Sequence, residues 1–261
     1  MTTGILAALH EEVAGLISAM APQDGYRVQR IGMRDYHLGT LEGQPCVVAL
    51  ARIGKVAAAA TALTMIRELG ASELIFSGLA GGIGPHVKVG DIVVGATLVQ
   101  HDLDARPLFP QHEVPLLGCA QFAADPALTL ELSAAARFFL TQQVHHVLSA
   151  DTRRAFGITA PALHVGLIAS GDQFVSGMAQ VQRIVSVLPD TLAVEMEGAA
   201  VAQICFEYAI PCAIVRTISD RADVTAHSDF GQFLKTLASD YASSILLRFL
   251  SARARASSMQ K

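Results

Sequence analysis

The chain has 261 residues, of which 52% are hydrophobic and 16% are charged, and its formal net charge is −4. This composition excludes a disordered chain, because there is enough apolar surface to bury a sizeable core. The acidic balance argues against nucleic acid as a partner, since no basic face is apparent. The short basic stretch around Arg253 and Arg255 is interpreted as part of a frayed terminus.

In chain order, the sequence alternates strand-like and helix-like segments, which are recognised by short apolar runs and by apolar residues every three or four positions. The predicted elements are a strand at Gly4–Leu9, a helix at Glu11–Met20, strands near Tyr26–Ile31, Asp35–Leu41 and Cys46–Ala51, a helix at Gly54–Leu69, strands at Leu74–Ser77 and Asp91–Leu98, a helix at Pro126–Gln142, a strand at Leu163–Ala169, a helix at Met178–Leu188, a strand at Leu192–Glu195, a helix at Gly198–Tyr208, a strand at Cys212–Ile218 and a helix at Phe230–Leu250.

This alternation over the whole length predicts an α/β fold with a mixed, twisted central sheet and helices on both faces. No linker or repeat divides the chain, so residues 1–261 are predicted to form a single domain. The segment Val147–Pro161 has no clear period and is interpreted as an exposed loop or hairpin insertion.

Cysteine usage and apolar segments indicate where the protein resides. The first apolar segment, Gly4–Leu9, is followed at once by two glutamates, which does not fit a secretory signal. The segment Val47–Leu63 is interrupted by Arg52 and Lys55, so no stretch is long enough to span a bilayer. We therefore expect a cytoplasmic protein with no membrane partner. The cysteines are scattered, which indicates free thiols: Cys46, Cys119, Cys205 and Cys212.

Three predicted strands end in carboxylates, although the chain is poor in acids. Glu11 and Glu12 follow the first strand, Glu195 and Glu197 end the strand LAVEME and open a helix, and Asp220 ends the strand AIVRTISD. Ligands of open α/β sheets collect at the carboxyl ends of strands, so these acids are candidate site residues. For a single acid, a helix N-terminus is the more ordinary explanation, since acids are favoured there, but three together weaken it. Strand alternation places Glu195 and Glu197 on one face, unless a turn separates them.

The glycine-rich segment GLAGGIG follows a predicted strand and contains Gly78, Gly81, Gly82 and Gly84. A dinucleotide-binding loop would open a helix at once, whereas a strand-like segment follows, so the nicotinamide interpretation is poor. We interpret the segment as a tight loop that lets a ligand approach the backbone closely.

Three other patterns are weak signals for chemistry. The segment HDLDA at 101–105 has metal-ligand spacing, but no second cluster supports a metal site. Ser170 lacks the G-x-S-x-G turn of serine hydrolases. The pair His145 and His146 fits capping at a helix end better than catalysis.

Seven motifs occur in a fixed order from about Gly4 to Leu250, and the insertion after His146 is not covered by them. Together they resemble the nucleoside phosphorylase/hydrolase family. The resemblance implies a three-layer sandwich, a homodimer, a purine nucleoside as substrate, and no metal or organic cofactor. The motifs are GILAALHEEV, RIGKVAAA, SGLAGGI, VGDIVV, SGDQF, VEMEGAA and VRTISDRAD.

Within the family, the chain is most similar to the enzymes that hydrolyse methylthioadenosine or S-adenosylhomocysteine to adenine and a thioribose. The resemblance implies that Glu12 is the base that activates water. It also implies that Asp220, positioned by Ser219, donates a proton toward the purine N7, and that Glu197 holds the ribose hydroxyls. The remaining residues implied at the substrate are Met196 against the sugar, Phe174 stacked on adenine, the Val175 backbone at the adenine edge, Arg216 orienting the carboxylates or the water, and Glu195, Ile53 and Gly81 nearby.

The segment Pro107–Pro115, with Leu108, Phe109 and Val114, is implied to close the 5′ end of the pocket from the neighbouring subunit. Its apolar character fits an alkylthio group better than a bare hydroxyl.

Two positions, Leu79 and Arg52, depart from the nucleosidase pattern and keep alternatives open, whereas Phe76 departs from the phosphorylase pattern. Leu79 stands where the family usually has a small hydroxyl residue, which removes a hydrogen-bonding group near the ribose or the water. Arg52 stands where the nucleosidases usually have glycine and brings a cation toward the same region. Phe76 stands where the phosphorylases carry an arginine. A phosphate-dependent phosphorylase and a non-catalytic nucleoside-binding protein therefore remain alternatives to a nucleosidase.

Overall fold

The computed structural model describes residues 1–259, with side chains described to residue 256; residues 260 and 261 of the predicted single domain lie outside this range. The strands are β1 (Thr3–Ala7), β2 (Arg27–Ile31), β3 (Arg34–Leu41), β4 (Gln44–Leu50), β5 (Glu73–Gly82), β6 (Ile92–Gln100), β7 (Gln121–Ala123), β8 (Leu163–Ser170), β9 (Thr191–Glu195) and β10 (Cys212–Asp220). The helices are α1 (His10–Met20), α2 (Lys55–Arg67), α3 (Pro126–Phe138), α4 (Val144–Val147), α5 (Ala150–Ala155), α6 (Met178–Val187), α7 (Gly198–Glu207), α8 (Ala226–Thr236) and α9 (Ala238–Met259).

The described strands form one mixed sheet. Strand β1 pairs in parallel with β4 and β5, and β3 and β2 extend the β4 edge in antiparallel order. On the other side, β5 pairs in parallel with β10, which runs antiparallel to β6; β6, β8 and β9 follow in parallel. Strand β9 returns to the end of β5, where Gly81 pairs with Val194. Five strands therefore close into a ring.

Helices cover both faces of the sheet, as the sequence predicted. Helices α1, α3, α8 and α9 pack around one apolar cluster, to which Leu16 and Tyr241 belong. Helices α2 and α7 pack together around a second cluster, to which Met65 and Val201 belong. The two clusters fix the sheet between layers of helix, because apolar faces are stable only when another element covers them.

The structure corrects four predicted elements. The prediction of a loop at GLAGGIG is wrong, since β5 remains a strand as far as Gly82. The helix predicted to reach Gln142 changes to a π turn at Phe139–Gln143, where Thr141 Oγ1 donates to the Arg137 carbonyl and competes with the helical bonds. The predicted C-terminal helix is two helices, broken at Leu237 so that both can pack on the core. The short strand β7 was not predicted.

The insertion and the tail are also more ordered than predicted. The segment after His146 contains α5, and Ile158 beyond it is buried, so the loop or hairpin interpretation is wrong. Arg253 is not frayed, because its guanidinium pairs with Glu73 and, at 2.6 Å, with Glu131. All four cysteines are free. No helix within residues 1–259 combines the length and apolar character that crossing a membrane requires.

Candidate active site

A cleft of about 640 Å³ opens where β1, β9 and β10 end beside the second half of β5. The lining is mostly apolar, with convergent charged groups at one end. The residues that line it are Ala8, Leu9, Glu12, Ile53, Leu79, Ala80, Gly81, Gln173, Phe174, Val175, Val194, Glu195, Met196, Glu197, Arg216, Asp220 and Phe230.

Glu12 lies in the first turn of α1 and is buried, with its carboxylate fixed by backbone donors. The amides of Ala8 and Leu9 donate to Oε2 at 3.0 and 2.8 Å, and the amide of Leu79 donates to Oε1 at 2.9 Å. Burial raises the pKa of Glu12 above its usual value, although Arg216 and these amides oppose the rise. A carboxylate with a raised pKa is a better base near neutral pH.

Asp220 is the last residue of β10 and is buried with its neighbour Ser219. The Ser219 hydroxyl donates to Asp220 Oδ2 at 2.8 Å, and the Ala222 amide donates to Oδ1 at 2.8 Å. Burial raises the pKa of Asp220, which favours the protonated acid. Gly81 makes this approach possible, since a Cβ at that position would lie 3.0 Å from Asp220 Oδ1.

Glu195 and Glu197 are separated by the turn from β9 into α7, and both still reach Arg216. Glu195 binds the Arg216 Nη2 atom directly, while Glu197 Oε2 lies 3.6 Å from it. The Gly54 amide donates to Glu197 Oε1 at 2.9 Å. Burial, and then repulsion from Glu195, raise the pKa of Glu197.

Glu195 is occupied by protein donors. Its oxygens accept from the Ser170 hydroxyl, from the amides of Glu197 and Gly198, and from Arg216. Glu195 was predicted to bind substrate; it lines the cleft, but its position favours holding Arg216 and the start of α7.

Arg216 is buried on β10 and stacks on the ring of Phe76 in the neighbouring strand. Its paired residue in β5 is Gly78, and a Cβ there would overlap the guanidinium and lie 3.0 Å from Glu12 Oε1. The glycines of this segment therefore let side chains of the site approach the backbone. The sequence predicts such a close approach for a ligand but not for these side chains.

Phe174 and Val175 form the opposite end of the cleft, in the segment after β8. The Phe174 ring meets Phe230 edge-on at 5.7 Å and His227 at 6.2 Å, both from α8. Phe174 lines the cleft and is 39% exposed, so part of its side chain is accessible to a ligand. The α8 residues were not predicted, because their distance in sequence from Phe174 hides the contact. Gln173, Ala8, Leu9, Ala80 and Val194 are further lining residues that sequence reasoning missed.

Two predicted residues lie outside this cleft. The Arg52 guanidinium donates to the Met33 carbonyl at 2.7 Å, so the cation expected near the ribose points elsewhere. Phe109 does not line the cleft of its own chain; the resemblance places it at the cleft of the neighbouring subunit, so that role stays a prediction. Leu79, by contrast, lines the cleft and presents an alkyl group beside Glu12.

The HDLDA segment has a structural explanation. Asp102 pairs with Lys55, and Asp104 pairs with Arg106, each at 2.6 Å. Within residues 1–259, no group of three or more His, Cys, Asp or Glu side chains is arranged to hold a metal ion.

Comparison with known proteins now adds to this geometry. Residues 2–251 match the family model of the phosphorylase superfamily. The chain belongs to the phosphorylase superfamily. A 5′-methylthioadenosine/S-adenosylhomocysteine nucleosidase of Marinomonas sp. (strain MWYL1) is 33% identical over 236 residues, which cover 90% of this chain and 92% of the relative. An aminodeoxyfutalosine nucleosidase of Helicobacter pylori (strain J99) is also 33% identical, over 89% of this chain and 91% of the relative.

Solved structures of the phosphorylase superfamily agree with the fold. The 5′-methylthioadenosine/S-adenosylhomocysteine nucleosidase of Neisseria meningitidis, in complex with methylthio-immucillin-A, superposes with a TM-score of 0.84. It is 34% identical, and the match covers 96% of this chain and 99% of that one. The resemblance predicted from the seven motifs is thus confirmed at the level of family and fold.

Proposed function

We propose that this chain hydrolyses the N-glycosidic bond of 5′-methylthioadenosine or S-adenosylhomocysteine and releases adenine. The observation that carries the proposal is the convergence of three buried carboxylates, Glu12, Glu197 and Asp220, on one cleft that also presents an aromatic ring. Acids are rarely buried without a partner or a function. Two relatives named 5′-methylthioadenosine/S-adenosylhomocysteine nucleosidase support this choice of substrate.

Asp220 serves as the acid of the reaction. Adenine leaves poorly as an anion, so a ring nitrogen must gain a proton as the glycosidic bond breaks. Burial raises the pKa of Asp220 and so favours its protonated form, and Ser219 orients the carboxyl group. General acid catalysis of this kind contributes about 10² to 10⁴-fold.

Glu12 and Glu197 act on the sugar. Glycosidic cleavage passes through an oxocarbenium-like state, which nearby carboxylates stabilise. Glu12 takes a proton from the attacking water, because its raised pKa suits a base and three amides fix its direction. Glu197 accepts hydrogen bonds from the ribose hydroxyls, and Arg216 limits the repulsion among the acids.

The remaining contacts of the proposal follow from the lining of the cleft. Phe174 stacks on the adenine, the Val175 backbone contacts its edge, and Met196 packs on the sugar. Ile53, Leu79 and Gly81 complete the walls around the nucleoside. No metal or organic cofactor takes part in the proposed reaction.

Water, rather than phosphate, is the proposed nucleophile. Phosphate binding needs cationic and hydroxyl groups, whereas Phe76 and Leu79 are apolar and Arg52 points to Met33. The test is adenine release from methylthioadenosine with and without phosphate. We expect free thioribose in both cases; strict dependence on phosphate, with a sugar 1-phosphate as product, would establish the phosphorylase instead. Nucleoside binding with no product at all would establish a binding protein.

The 5′ substituent is the variable that distinguishes the curated relatives. Because an aminodeoxyfutalosine nucleosidase is as similar as the methylthioadenosine enzyme, the same assay should compare methylthioadenosine, S-adenosylhomocysteine and aminodeoxyfutalosine. We expect the highest kcat/KM for one of the two thioethers.

We also propose that the chain is a single cytoplasmic domain that assembles as a homodimer. The free cysteines suit a reducing compartment. Leu108 and Leu116 are 83% and 92% exposed in an apolar segment, which is unusual for a surface that stays uncovered. The segment Leu108–Val114 is the proposed contact, beside the partner's cleft and including Phe109. Light scattering should give the mass of a dimer; a fully active monomer would refute this assembly.

A further inference from the structure

A charged cluster lies on the rim of the cleft, outside the residues to which chemistry has been assigned. The Lys55 ammonium lies 2.6 Å from Asp102 Oδ1 and 3.9 Å from Asp172 Oδ2. The Asp172 amide donates to Asp102 Oδ2 at 2.8 Å, and the Lys55 amide donates to Asp172 Oδ1 at 2.9 Å. These contacts form a closed circuit among three residues that are far apart in sequence.

The circuit joins two chain segments that lead into the cleft and a turn that holds them together. Lys55 begins α2, and the amide just before it, that of Gly54, donates to Glu197 at 2.9 Å. Asp172 follows β8 and directly precedes the segment that carries Phe174. Asp102 lies in the turn after β6 and binds the other two. A shift of either segment would therefore change the contacts of a bound nucleoside at both its sugar and its base.

The cluster is only partly shielded from solvent, because the Asp172 side chain is 53% exposed. The side chains of Lys55 and Asp102 are only 16% and 25% exposed. Burial alone would raise the pKa of Asp102, but the hydrogen bonds from the Lys55 ammonium and the Asp172 amide outweigh it and hold that pKa below the usual value. The carboxylate is therefore charged at neutral pH, and charge-assisted hydrogen bonds are stronger than neutral ones.

We infer that Lys55, Asp102 and Asp172 are positioning residues that hold the ribose carboxylate Glu197 and the base platform Phe174 at a fixed separation. The inference rests on the proposed function and deepens it, because it assigns a role to residues that touch neither the sugar nor the base. It follows that loosening the circuit weakens binding of a whole nucleoside more than it slows bond cleavage.

A second consequence concerns the pH dependence. The Gly54 amide favours the charged form of Glu197, as does Arg216, whereas Glu195 and Glu12 oppose it. Loss of the hydrogen bond from the Gly54 amide raises the pKa of Glu197 further, so this side chain becomes charged only at higher pH. The acidic limb of kcat/KM should then move to higher pH, an effect that a general loss of stability does not produce.

The test compares Asp102→Asn with Asp104→Asn. The control removes the same charge two residues along the same turn, but Asp104 pairs only with the exposed Arg106 among the described side chains. The ligand is the 7-deaza analogue of methylthioadenosine, which has no N7 to protonate and is measured by titration calorimetry. We expect Asp102→Asn to raise Kd, and KM for the substrate, about tenfold, with kcat within about threefold and the acidic limb displaced upward.

The pair Lys55→Arg and Lys55→Gln supplies the same comparison if Asp102→Asn does not fold. Arginine keeps the cation and should retain most of the affinity, whereas glutamine should not. Unchanged Kd in Asp102→Asn, an equal loss in Asp104→Asn, or equal losses in both Lys55 variants would overturn the inference. Analogue binding requires no turnover, so a wild-type protein that releases no adenine would count against the proposed reaction alone.

Discussion

The guanidinium carbon of Arg216 lies 4.2 Å from the centroid of the Phe76 ring. The stacked ring gives a buried cation an attractive surface and prevents it from turning away from Glu195 and Glu197. We predict that Phe76→Leu lowers kcat by about tenfold or more, because both carboxylates lose their fixed counter-charge. Steady-state kinetics on methylthioadenosine measure this effect.

Phe139→Leu is the matched control for this prediction. Phe139 is equally buried and packs edge-on against Tyr241 at 4.8 Å, on the face covered by α9. The free energy of unfolding in urea should fall by a similar amount in Phe139→Leu, but this variant should keep the wild-type kcat. Equal loss of activity in the two variants would mean that Phe76 acts only through packing.

The two proton-transfer groups should respond differently to the leaving group. Asp220→Asn keeps the size of the side chain but cannot deliver a proton, so kcat should fall about 10² to 10⁴-fold while binding persists. Glu12→Gln should also lower kcat, because the water loses its base. A substrate with a better leaving group should rescue Asp220→Asn but not Glu12→Gln. Equal loss without rescue would show that the acid is wrongly assigned.

Phe174 is expected to stack on the purine. Stacking of a base on an aromatic ring is worth about 1–3 kcal/mol, so Phe174→Ala should raise KM by roughly 5- to 150-fold. Phe206→Ala is the control, since that ring is also exposed but contacts Phe122 away from the cleft. A Phe174 variant that loses thermal stability and keeps its KM would indicate a purely structural side chain.

Glu197 should lower the stability of the free protein at neutral pH. Its pKa is raised on folding, so its contribution to stability is present below the ordinary value and is lost as the pH rises through the folded-state pKa. Glu197→Gln should therefore raise Tm above that of the wild type near pH 7.5 by at least about 2–4 °C. The difference should disappear near pH 4. Glu42→Gln, at an exposed turn, should show no such change; a wild-type Tm that rises relative to Glu197→Gln toward neutral pH would contradict the assignment.

In the proposed mechanism, Leu79 offers the attacking water no side-chain hydroxyl. We predict that Leu79→Ser raises kcat a few-fold and lowers the free energy of unfolding by about 2–4 kcal/mol, because a buried alkyl group is removed. Leu79→Ala opens the same space without the hydroxyl. If both variants have the same kcat, the hydroxyl has no role in placing the water.

The carboxylates of the site were predictable from sequence, whereas the tertiary contacts around them were not. Glu12, Glu197 and Asp220 stand near strand ends, and this local signal made them candidates whose roles the family resemblance then implied. The contact between Phe230 and Phe174 depends on tertiary packing, and so does the direction of the Arg52 side chain. Such packing leaves no local pattern in the sequence. Periodicity likewise predicted the helices but not the break at 237, because apolar spacing continues across it.

The position of β10 has a consequence for synthesis of the protein. The last strand made, Cys212–Asp220, is inserted between β5 and β6, which were completed more than a hundred residues earlier. Until it emerges from the ribosome, these two strands present unpaired edges, and the acid of the proposed reaction does not yet exist. Folding of the ring must therefore wait for nearly the whole chain, and the exposed edges make the nascent protein a natural client for chaperones.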